Sequence, residues 1–305
     1  MKKSTKKILQ KIIILCVIIL ISYIINYIEE NKETTKKVEL RKETQNVVAT
    51  NESNFKIYFI DVGEADCILI ENNQKYALVD AGNTEDGEKI VNYFKEIGVK
   101  EFEYVVGTHA HEDHIGGMPN VIKAFPIKHF YMPDTITTTK TFEDLLDAIS
   151  SAKIKFETPK INQTFKMEDT EFNVLHISKD KEDLNDTSIV LKIIYKNTSY
   201  LLTGDATNTV ERSILEKDLK SDILKVAHHG SGYSTSAVFL KKVDPEYAII
   251  SVGKNNDYNH PKPITIQKLK RINAKIYRTD KDGTIIVTSD GENIEIETVK
   301  TDTNG

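Results

Sequence analysis

The chain has 305 residues, of which 39% are apolar and 29% charged, and its formal net charge is −5. Residues 1–50 carry ten basic and five acidic side chains, which leaves 31 basic and 41 acidic ones, a net charge of −10, in residues 51–305. This composition is typical of a globular protein with one large domain or two small ones, and its acidity argues against binding nucleic acid by a broad basic surface.

The first 54 residues are predicted to carry a membrane anchor rather than a folded domain. Five lysines precede residues 12–28, a mostly apolar run that would form a helix roughly 25 Å long, just enough to cross a bilayer core. No small-x-small cleavage site follows, so an uncleaved anchor is favoured over a secretory signal. Residues 1–11 are then cytoplasmic, residues 29–54 form a flexible linker, and residues 55–300 form an extracellular domain of a single-pass protein of the cell membrane.

Three short strands open this domain, at residues 55–62, 67–70 and 76–79, and their close spacing predicts an antiparallel meander. The third strand leads to Asp80, beside a glycine, where a carboxylate is either a turn former or a group that braces a metal ligand. A helical period then covers residues 86–98.

The densest group of polar residues follows the next strand, in residues 108–114, which read THAHEDH. In extended backbone alternate residues share a side, so His109, His111 and Asp113 can face one metal ion, while His114 can serve a second ion together with Asp113. This requires the chain to turn into a helix at the Ile-Gly-Gly that follows, where small residues permit close approach. Imidazole and carboxylate ligands without thiolate suit zinc, and also manganese or iron. A polar surface loop is the alternative, disfavoured because five ligand-type side chains occupy six positions.

The remaining pattern alternates β-rich runs with helices. It predicts strands at 103–106 and 129–132, helices at 118–125 and 142–150, short strands between 153 and 177, a hairpin at 188–195 and 199–203, a helix at 208–219, a strand at 223–227, a helix at 238–243, a strand at 247–252, a helix at 265–272, and strands at 275–277, 283–288 and 293–297. Such an order indicates an α/β (α+β) fold of two packed sheets flanked by helices, with polar strand ends converging on one edge.

Further ligand-type residues stand at later strand ends. Asp205 follows a strand and a glycine, so its carboxylate can reach from the sheet edge and bridge two ions. His228 and His229 follow the strand at 223–227, and His260 is held in a turn or extended conformation by Pro261. Each could be an ordinary turn or surface residue in isolation, but their repeated position predicts that they share a site with residues 108–114.

The THAHEDH loop resembles the signature loop of the metallo-β-lactamase superfamily, whose fold is an αββα sandwich with a metal site at the sheet edges. Residues 60–70, 201–205, 225–231 and 258–261 are similar, in the same order, to the metallo-hydrolase domain of the ComEC family of DNA-uptake proteins. The resemblance covers roughly residues 55–290.

The resemblance implies two divalent metal ions, zinc or alternatively manganese. His109 and His111 would bind the first ion, Asp113 and His114 the second, and Asp205 would bridge them. Asp80 matches the structural aspartate of the family.

The resemblance does not assign a single role to each of the remaining histidines. His260 stands where many relatives place the last ligand of the second ion, whereas His228 or His229 matches either a ligand or the catalytic proton donor. The usual third histidine of the first ion has no counterpart in residues 184–188. His176 lies upstream as a substitute, and the ComEC type tends to carry a polar pattern here, as at Asn185 and Ser188.

These observations together predict a metal-dependent hydrolase. A phosphodiesterase or nuclease is favoured, in which a dinuclear centre supplies hydroxide, with a link to extracellular DNA processing or uptake. Asp113, His228 and His229 are the predicted catalytic residues, and Ser231 with the adjacent glycine amides would hold a nonbridging oxygen. The predicted partners are nucleic acid or another phosphodiester, and the membrane through the amino-terminal helix. The alternatives are a cell-envelope phosphoester hydrolase, for instance on teichoic acid, and a degenerate metal-binding module.

Overall fold

Two mixed β-sheets carry the fold in the computed structural model, which describes residues 55–179 and 182–300. The strands in chain order are β1 (Phe55–Phe59), β2 (Cys67–Asn72), β3 (Lys75–Ala81), β4 (Phe102–Val106), β5 (Ile127–Tyr131), β6 (Phe156–Glu157), β7 (Thr164–Met167), β8 (Thr170–His176), β9 (Val190–Tyr195), β10 (Thr198–Leu202), β11 (Ile223–Lys225), β12 (Tyr247–Ile250), β13 (Lys275–Arg278), β14 (Thr284–Ser289) and β15 (Ile294–Val299).

The helices lie mainly between these strands. They are α1 (Gly87–Ile97), α2 (Glu112–Ile115), α3 (Met118–Ala124), α4 (Lys140–Ala152), α5 (Asn208–Ile214), α6 (Ala237–Val243), α7 (Pro263–Arg271) and α8 (Thr279–Asp282), with single 3-10 turns at Thr84–Asp86, Leu184–Thr187 and His228–Gly230.

The first sheet has 8 strands in the order β15-β14-β1-β2-β3-β4-β5-β6, and the second has 7 in the order β13-β12-β11-β10-β9-β8-β7. The predicted meander is confirmed, because β1, β2 and β3 pair antiparallel in chain order. One predicted helix is too long: α5 ends at Ile214, not at residue 219, because the chain turns there and the amide of Lys217 donates to the carbonyl of Ile214.

Three apolar layers hold the sheets and helices together. Along β1, Phe55, Ile57 and Phe59 alternate with Tyr58, and the two sets join different clusters. The first set packs against residues of the second sheet, and Tyr58 belongs to the cluster that includes α1, α3 and α4. A third cluster joins the second sheet to α5, α6 and α7. Both faces of each sheet are therefore buried, and the predicted αββα sandwich is confirmed.

The predicted single-pass membrane location is corrected by the structure. Among residues 55–179 and 182–300, no helix is long and apolar enough to cross a membrane. The longest helix in this part of the chain, α4, has 13 residues, whereas a span needs roughly 20. The predicted anchor at residues 12–28, with the segments before and after it, lies outside the described residues.

Candidate metal centre

Loops from both sheets meet at one edge of the sandwich. In the first sheet β3 and β4 are parallel, and in the second β10, β11 and β12 are parallel. Parallel strands bring their carboxyl ends to the same edge. The residues that follow these ends are the ones the sequence singled out.

Four of them form a compact cluster: Asp113, His114, Asp205 and His229. Each offers one ligand atom, and these atoms all lie within 4.8 Å of one another. His229 Nε2 is 3.1 Å from Asp113 Oδ2, and His114 Nε2 is 3.3 Å from Asp205 Oδ1 and 3.5 Å from Asp113 Oδ2. We call these four residues the ligand cluster.

The ligand cluster fits a divalent ion. His114 Nε2 and Asp205 Oδ1 are buried, and neither has a hydrogen-bond partner among the described residues. Two ligand atoms about 2.1 Å from one ion stand roughly 3–4 Å apart, which is the spacing found here. Two imidazoles and two carboxylates are donors that zinc, manganese and iron all accept. A metal is therefore the natural partner of these buried atoms.

Helix α2 brings Asp113 and His114 into the cluster. It begins at Glu112, three residues earlier than expected, so Asp113 lies in its first turn and not in extended backbone beside His111. The two glycines after it are needed as predicted. A Cβ on Gly116 would stand 2.3 Å from the Thr84 amide nitrogen, and one on Gly117 would stand 2.2 Å from the Ala81 carbonyl oxygen.

Asp80 and Thr108 brace this first half of the cluster. Asp80 Oδ1 accepts from the Thr108 amide at 2.8 Å, and its Oδ2 accepts from the Thr108 hydroxyl and from His114 Nδ1, both at 2.7 Å. Because a carboxylate only accepts, His114 carries its proton on Nδ1 and turns Nε2 toward the cluster. Asp80 thus lies where the sequence placed a bracing group.

His229 completes the cluster from the second sheet. Both His228 and His229 have left-handed backbone, with φ of 51° and 52°, which is uncommon for residues other than glycine. His229 Nδ1 donates to the Ser251 carbonyl at 2.9 Å, so its Nε2 faces Asp113. The structure therefore brings His229, and neither His228 nor His260, to the second-ion residues.

His228 and His260 lie next to the cluster rather than in it. His228 Nε2 is 3.7 Å from Asp205 Oδ2, and 28% of its side chain is exposed. The ring of His260 is 5.7 Å from that of His228 and stacks on Tyr258 at 5.9 Å. All three rings line the pocket above the cluster.

The residues predicted for the first ion are less well assembled. His109 Nε2 is 3.0 Å from His111 Nδ1 and 4.0 Å from Asp205 Oδ2. Ser188, at the position of the missing histidine, is buried; its hydroxyl accepts from the Asp205 amide at 3.1 Å and lies 3.5 Å from His109 Nδ1. Ser188 thus contacts two predicted ligands but adds no imidazole.

The other predicted site residues lie farther from the ligands. His176 Nδ1 donates to the Ser188 carbonyl at 3.0 Å, and His176 is not among the described residues that form the ligand cluster or line the pocket. The carbonyl of Asn185 accepts from the Ser188 amide, and the Asn185 side-chain oxygen is buried. Ser231 is buried, its hydroxyl accepts from the Tyr233 amide, and it is not among the described residues that line the pocket.

Opposite charges dominate the electrostatics of the cluster. Burial by itself lowers the pKa of His229, but Asp205 and the hydrogen bond to Asp113 outweigh it and raise that pKa to about 9. The pKa of His114 is likewise raised well above its usual value, because the attraction of Asp205 and Asp113 outweighs burial. Burial alone would raise the pKa of Asp205, but the imidazoles of His114 and His229 outweigh it and lower that pKa well below its usual value. By contrast, burial and the neighbouring His114 lower the pKa of His109.

The pocket has a volume of 540 Å³ and an acidic lining. Three cluster residues, Asp113, Asp205 and His229, line it. The other residues that line it are Glu64, Asn83, Glu85, His111, Glu112, His228, Asp257, Tyr258 and His260. No lysine or arginine is among the described residues that line it.

Sequence reasoning missed two buried residues below the cluster, Asp66 and Lys225. Their charged groups are 2.7 Å apart, and neither side chain is more than 1% exposed. A lysine as the last residue of a short apolar strand was the available signal, but such a lysine more often extends into solvent.

The fold and cluster agree with comparisons to known proteins. The chain belongs to the metallo-beta-lactamase superfamily, which it matches over residues 60–254. Within the superfamily it is similar to ComE operon protein 3 of Bacillus subtilis, with 30% identity over 76% of this chain and 33% of that protein. It is also similar to competence protein ComA of Neisseria gonorrhoeae, with 28% identity over 78% of this chain and 32% of that protein.

Both relatives are ComEC-family competence proteins, so the resemblance drawn from the motifs is confirmed. The chain spans about a third of the length of each.

Solved structures share the fold at low sequence identity. The metallo-beta-lactamase fold protein YhfI from Bacillus subtilis has a TM-score of 0.52 and 12% identity, over 76% of this chain and 99% of that one. CmlA, a diiron beta-hydroxylase from Streptomyces venezuelae, has a TM-score of 0.54 and 12% identity, over 78% of this chain and 55% of that one. These likenesses show the fold alone; the family match and the ComEC-type relatives identify the domain as a metal-dependent hydrolase of the metallo-β-lactamase fold.

Proposed function

We propose that this domain is a metal-dependent phosphodiesterase whose substrate is nucleic acid. The observation that carries the proposal is the ligand cluster, in which two carboxylates and two imidazoles from both sheets meet at the floor of an open pocket. The similarity to competence proteins supports nucleic acid as the substrate.

The residues divide into two groups of ligands. Asp113, His114 and His229 would hold one ion, and His109 and His111 would hold the other. The two oxygens of Asp205 face different imidazoles, so Asp205 would contribute to both sites. When bound, zinc or manganese at these positions supplies Lewis acidity toward phosphate oxygens and lowers the pKa of a coordinated water.

The other residues orient groups or move protons. Asp80 and Thr108 hold the ring of His114, and Ser188 holds the backbone of Asp205. His228 is partly exposed to the pocket and stands outside the ligand cluster, so we assign it the proton transfer to the leaving oxygen. Ser231 receives no role, because its hydroxyl is buried in its own loop.

The rings at the pocket mouth support a substrate with a flat group. Tyr258 is 68% exposed and lies over His260, with 24° between the ring planes. Exposed aromatic rings of this kind stack on nucleobases in proteins that bind single strands. The carboxylates that line the pocket oppose a polyanion, so the bound ions must offset their charge.

The same acidic lining favours a second candidate function. A cell-envelope phosphodiester with neutral or cationic substituents would meet less repulsion from Glu64, Glu85 and Asp257 than a nucleic acid strand would.

An activity panel tests these proposals on the full chain. Single-stranded DNA, RNA, a wall phosphoester and a bis-aryl phosphate diester are offered with zinc, with manganese and with EDTA. We expect cleavage of DNA that requires a metal and is lost in Asp205→Ala but kept in Asp144→Ala, an exposed aspartate of α4.

The other outcomes separate the alternatives. Hydrolysis of the aryl diester without cleavage of nucleic acid contradicts the nuclease, and preference for the wall phosphoester selects the second candidate. Binding of metal without hydrolysis of any substrate points to a metal-binding module.

A further inference from the structure

A lysine lies buried directly beneath the ligand cluster. Lys225, the last residue of β11, has a fully buried side chain, and its Nζ is 2.7 Å from Asp66 Oδ2. Nζ also donates to the Val226 carbonyl at 3.1 Å. Because Asp66 precedes β2, this ion pair joins the second sheet to the first.

Asp66 lies between the two halves of the cluster. Its Oδ2 is 3.9 Å from His114 Nδ1, and its Oδ1 is 3.8 Å from His229 Nδ1. Its backbone is tied to the loops of the first sheet, since its amide donates to the Asp113 carbonyl at 3.0 Å and its carbonyl accepts from the Gly82 amide at 2.8 Å. A movement of Asp66 is therefore passed to Asp113.

Lys225 is tied to the other half in the same way. It belongs to the strand that leads into His228 and His229, and the Thr203 hydroxyl, two residues before Asp205, donates to the Lys225 carbonyl at 2.7 Å. The ion pair thus connects the segment that carries Asp113 to the segments that carry Asp205 and His229.

The group formed by Asp66, Asp80 and His114 is not a further metal site. Its ligand atoms lie within 4.8 Å of one another, but the ammonium of Lys225 already supplies the positive charge beside Asp66. The oxygens of Asp80 are engaged by Thr108 and His114.

A buried ion pair is a costly way to hold two sheets together, because both charges lose their water. Apolar side chains of similar volume often give equal or greater stability, so such a pair points to a requirement for geometry rather than for strength. Ligand atoms must be held within roughly 0.5 Å to bind an ion well, whereas sheet packing tolerates larger shifts.

We propose that Asp66 and Lys225 are a positioning pair that sets the distance between the two halves of the metal centre. Asp113 and His114 form the half from the first sheet, and Asp205 and His229 form the half from the second. The proposal rests on the binding of metal by this cluster.

The test compares single and double variants of the full chain. Lys225→Met leaves Asp66 buried without its partner, and the double variant Asp66→Asn/Lys225→Met removes both charges. Zinc affinity is measured by chelator competition, the geometry of the site by the visible spectrum of bound Co²⁺, and stability by thermal unfolding. The matched control is Lys192→Met, which removes another buried lysine of the same sheet, paired with Asp218 at 2.7 Å.

We expect the double variant to bind zinc at least 10-fold more weakly than the wild type and to show an altered Co²⁺ spectrum, while its unfolding temperature in EDTA stays close to that of the wild type in EDTA. Lys192→Met should bind zinc within 2-fold of the wild type. If Lys225→Met does not fold, the double variant, which leaves no unpaired charge, carries the comparison.

Two results overturn the proposal. One is wild-type zinc affinity with an unchanged Co²⁺ spectrum in the double variant, which makes the pair merely structural. The other is an equal loss of affinity in Lys192→Met, which traces the effect to general destabilisation. A wild-type chain that binds no zinc and no Co²⁺ refutes the proposed function itself, a failure distinct from both.

Discussion

His228 and His229 are adjacent in sequence but have different surroundings. His229 is buried, and the Ser251 carbonyl fixes its tautomer, whereas His228 is partly exposed and lies 3.7 Å from Asp205 Oδ2. The difference comes from two successive left-handed residues, which turn one ring toward Asp113 and the other into the pocket.

We therefore expect alanine at His229 to impair metal binding and alanine at His228 to impair catalysis. His229→Ala should lower zinc affinity at least 10-fold because it removes a ligand. His228→Ala should keep both ions and lose roughly 10²–10⁴-fold in the rate of diester cleavage. Metal content and kcat, measured on the same samples, check this expectation. Loss of metal in His228→Ala would assign that residue to the ligands instead.

The metal-free protein should be most stable near pH 6.5, the usual pKa of histidine in unfolded chains. The pKa of His229 is raised to about 9 in the fold, so its stabilising effect is complete below pH 6.5 and disappears as the pH rises through 9. The pKa values of His109, His228 and His260 are lowered, for His260 to about 4, so their contribution is lost as the pH falls below 6.5.

Urea unfolding in EDTA between pH 4 and 9.5 measures this profile. On the alkaline side stability should fall as His229 and His114, whose pKa values are both raised in the fold, lose their protons. A free energy of unfolding that keeps rising up to pH 9 would contradict it. The variant His229→Gln serves as the control, because it should reduce the loss on the alkaline side and leave the part that is due to His114.

At the scale of elements, helix α2 depends on the two glycines that follow it. A methyl group at position 117 would overlap the Ala81 carbonyl oxygen, so the helix would have to move away from β3 and carry Asp113 and His114 with it. The element therefore couples backbone packing to the geometry of two ligands.

Gly117→Ala should thus reduce both stability and metal binding. We expect a loss of about 1–3 kcal/mol in the free energy of unfolding and a measurably weaker affinity for zinc. Gly232→Ala is the control, since its added methyl group would meet no atom closer than 3.8 Å. Equal effects in the two variants would show that the site is insensitive to the position of α2.

The secondary-structure elements also show how much of the fold and of the site can be predicted from the sequence. Strands were predictable because runs such as Phe55–Phe59 bury alternate residues on two faces, and the meeting of the cluster residues was predictable because they stand at the ends of such runs. The start of α2 at Glu112 was not predictable, since a helix of a single turn is too short to show a helical period in its sequence. Asp66 and Lys225 were missed because burial of a charged pair depends on two sheets meeting, which a local pattern does not contain.

At the scale of the molecule, the proposed ions would join the sheets. Asp113 and His114 come from the first sheet and Asp205 and His229 from the second, so the unfolded chain has no preformed site and metal binds the native state. Free metal at 1,000 times its dissociation constant then stabilises the fold by about 4 kcal/mol for each site.

Removal of both ions should therefore lower the unfolding temperature by roughly 20 °C for a domain of this size. Thermal scans of the full chain with excess zinc and with EDTA measure the shift, and Asp205→Ala should show almost none of it. An unfolding temperature that does not respond to EDTA would mean that no ion bridges the sheets.

Strand β1 opens the domain, yet it lies between β14 and β2 in the middle of the first sheet. During synthesis this strand keeps an open edge until residue 289 has emerged from the ribosome, long after the histidine-rich loop and even His229 have been made. The side chains of the proposed metal centre are thus synthesised before the sheets that position them are complete. The proposed metal centre can accordingly be completed only after nearly the whole domain has been translated.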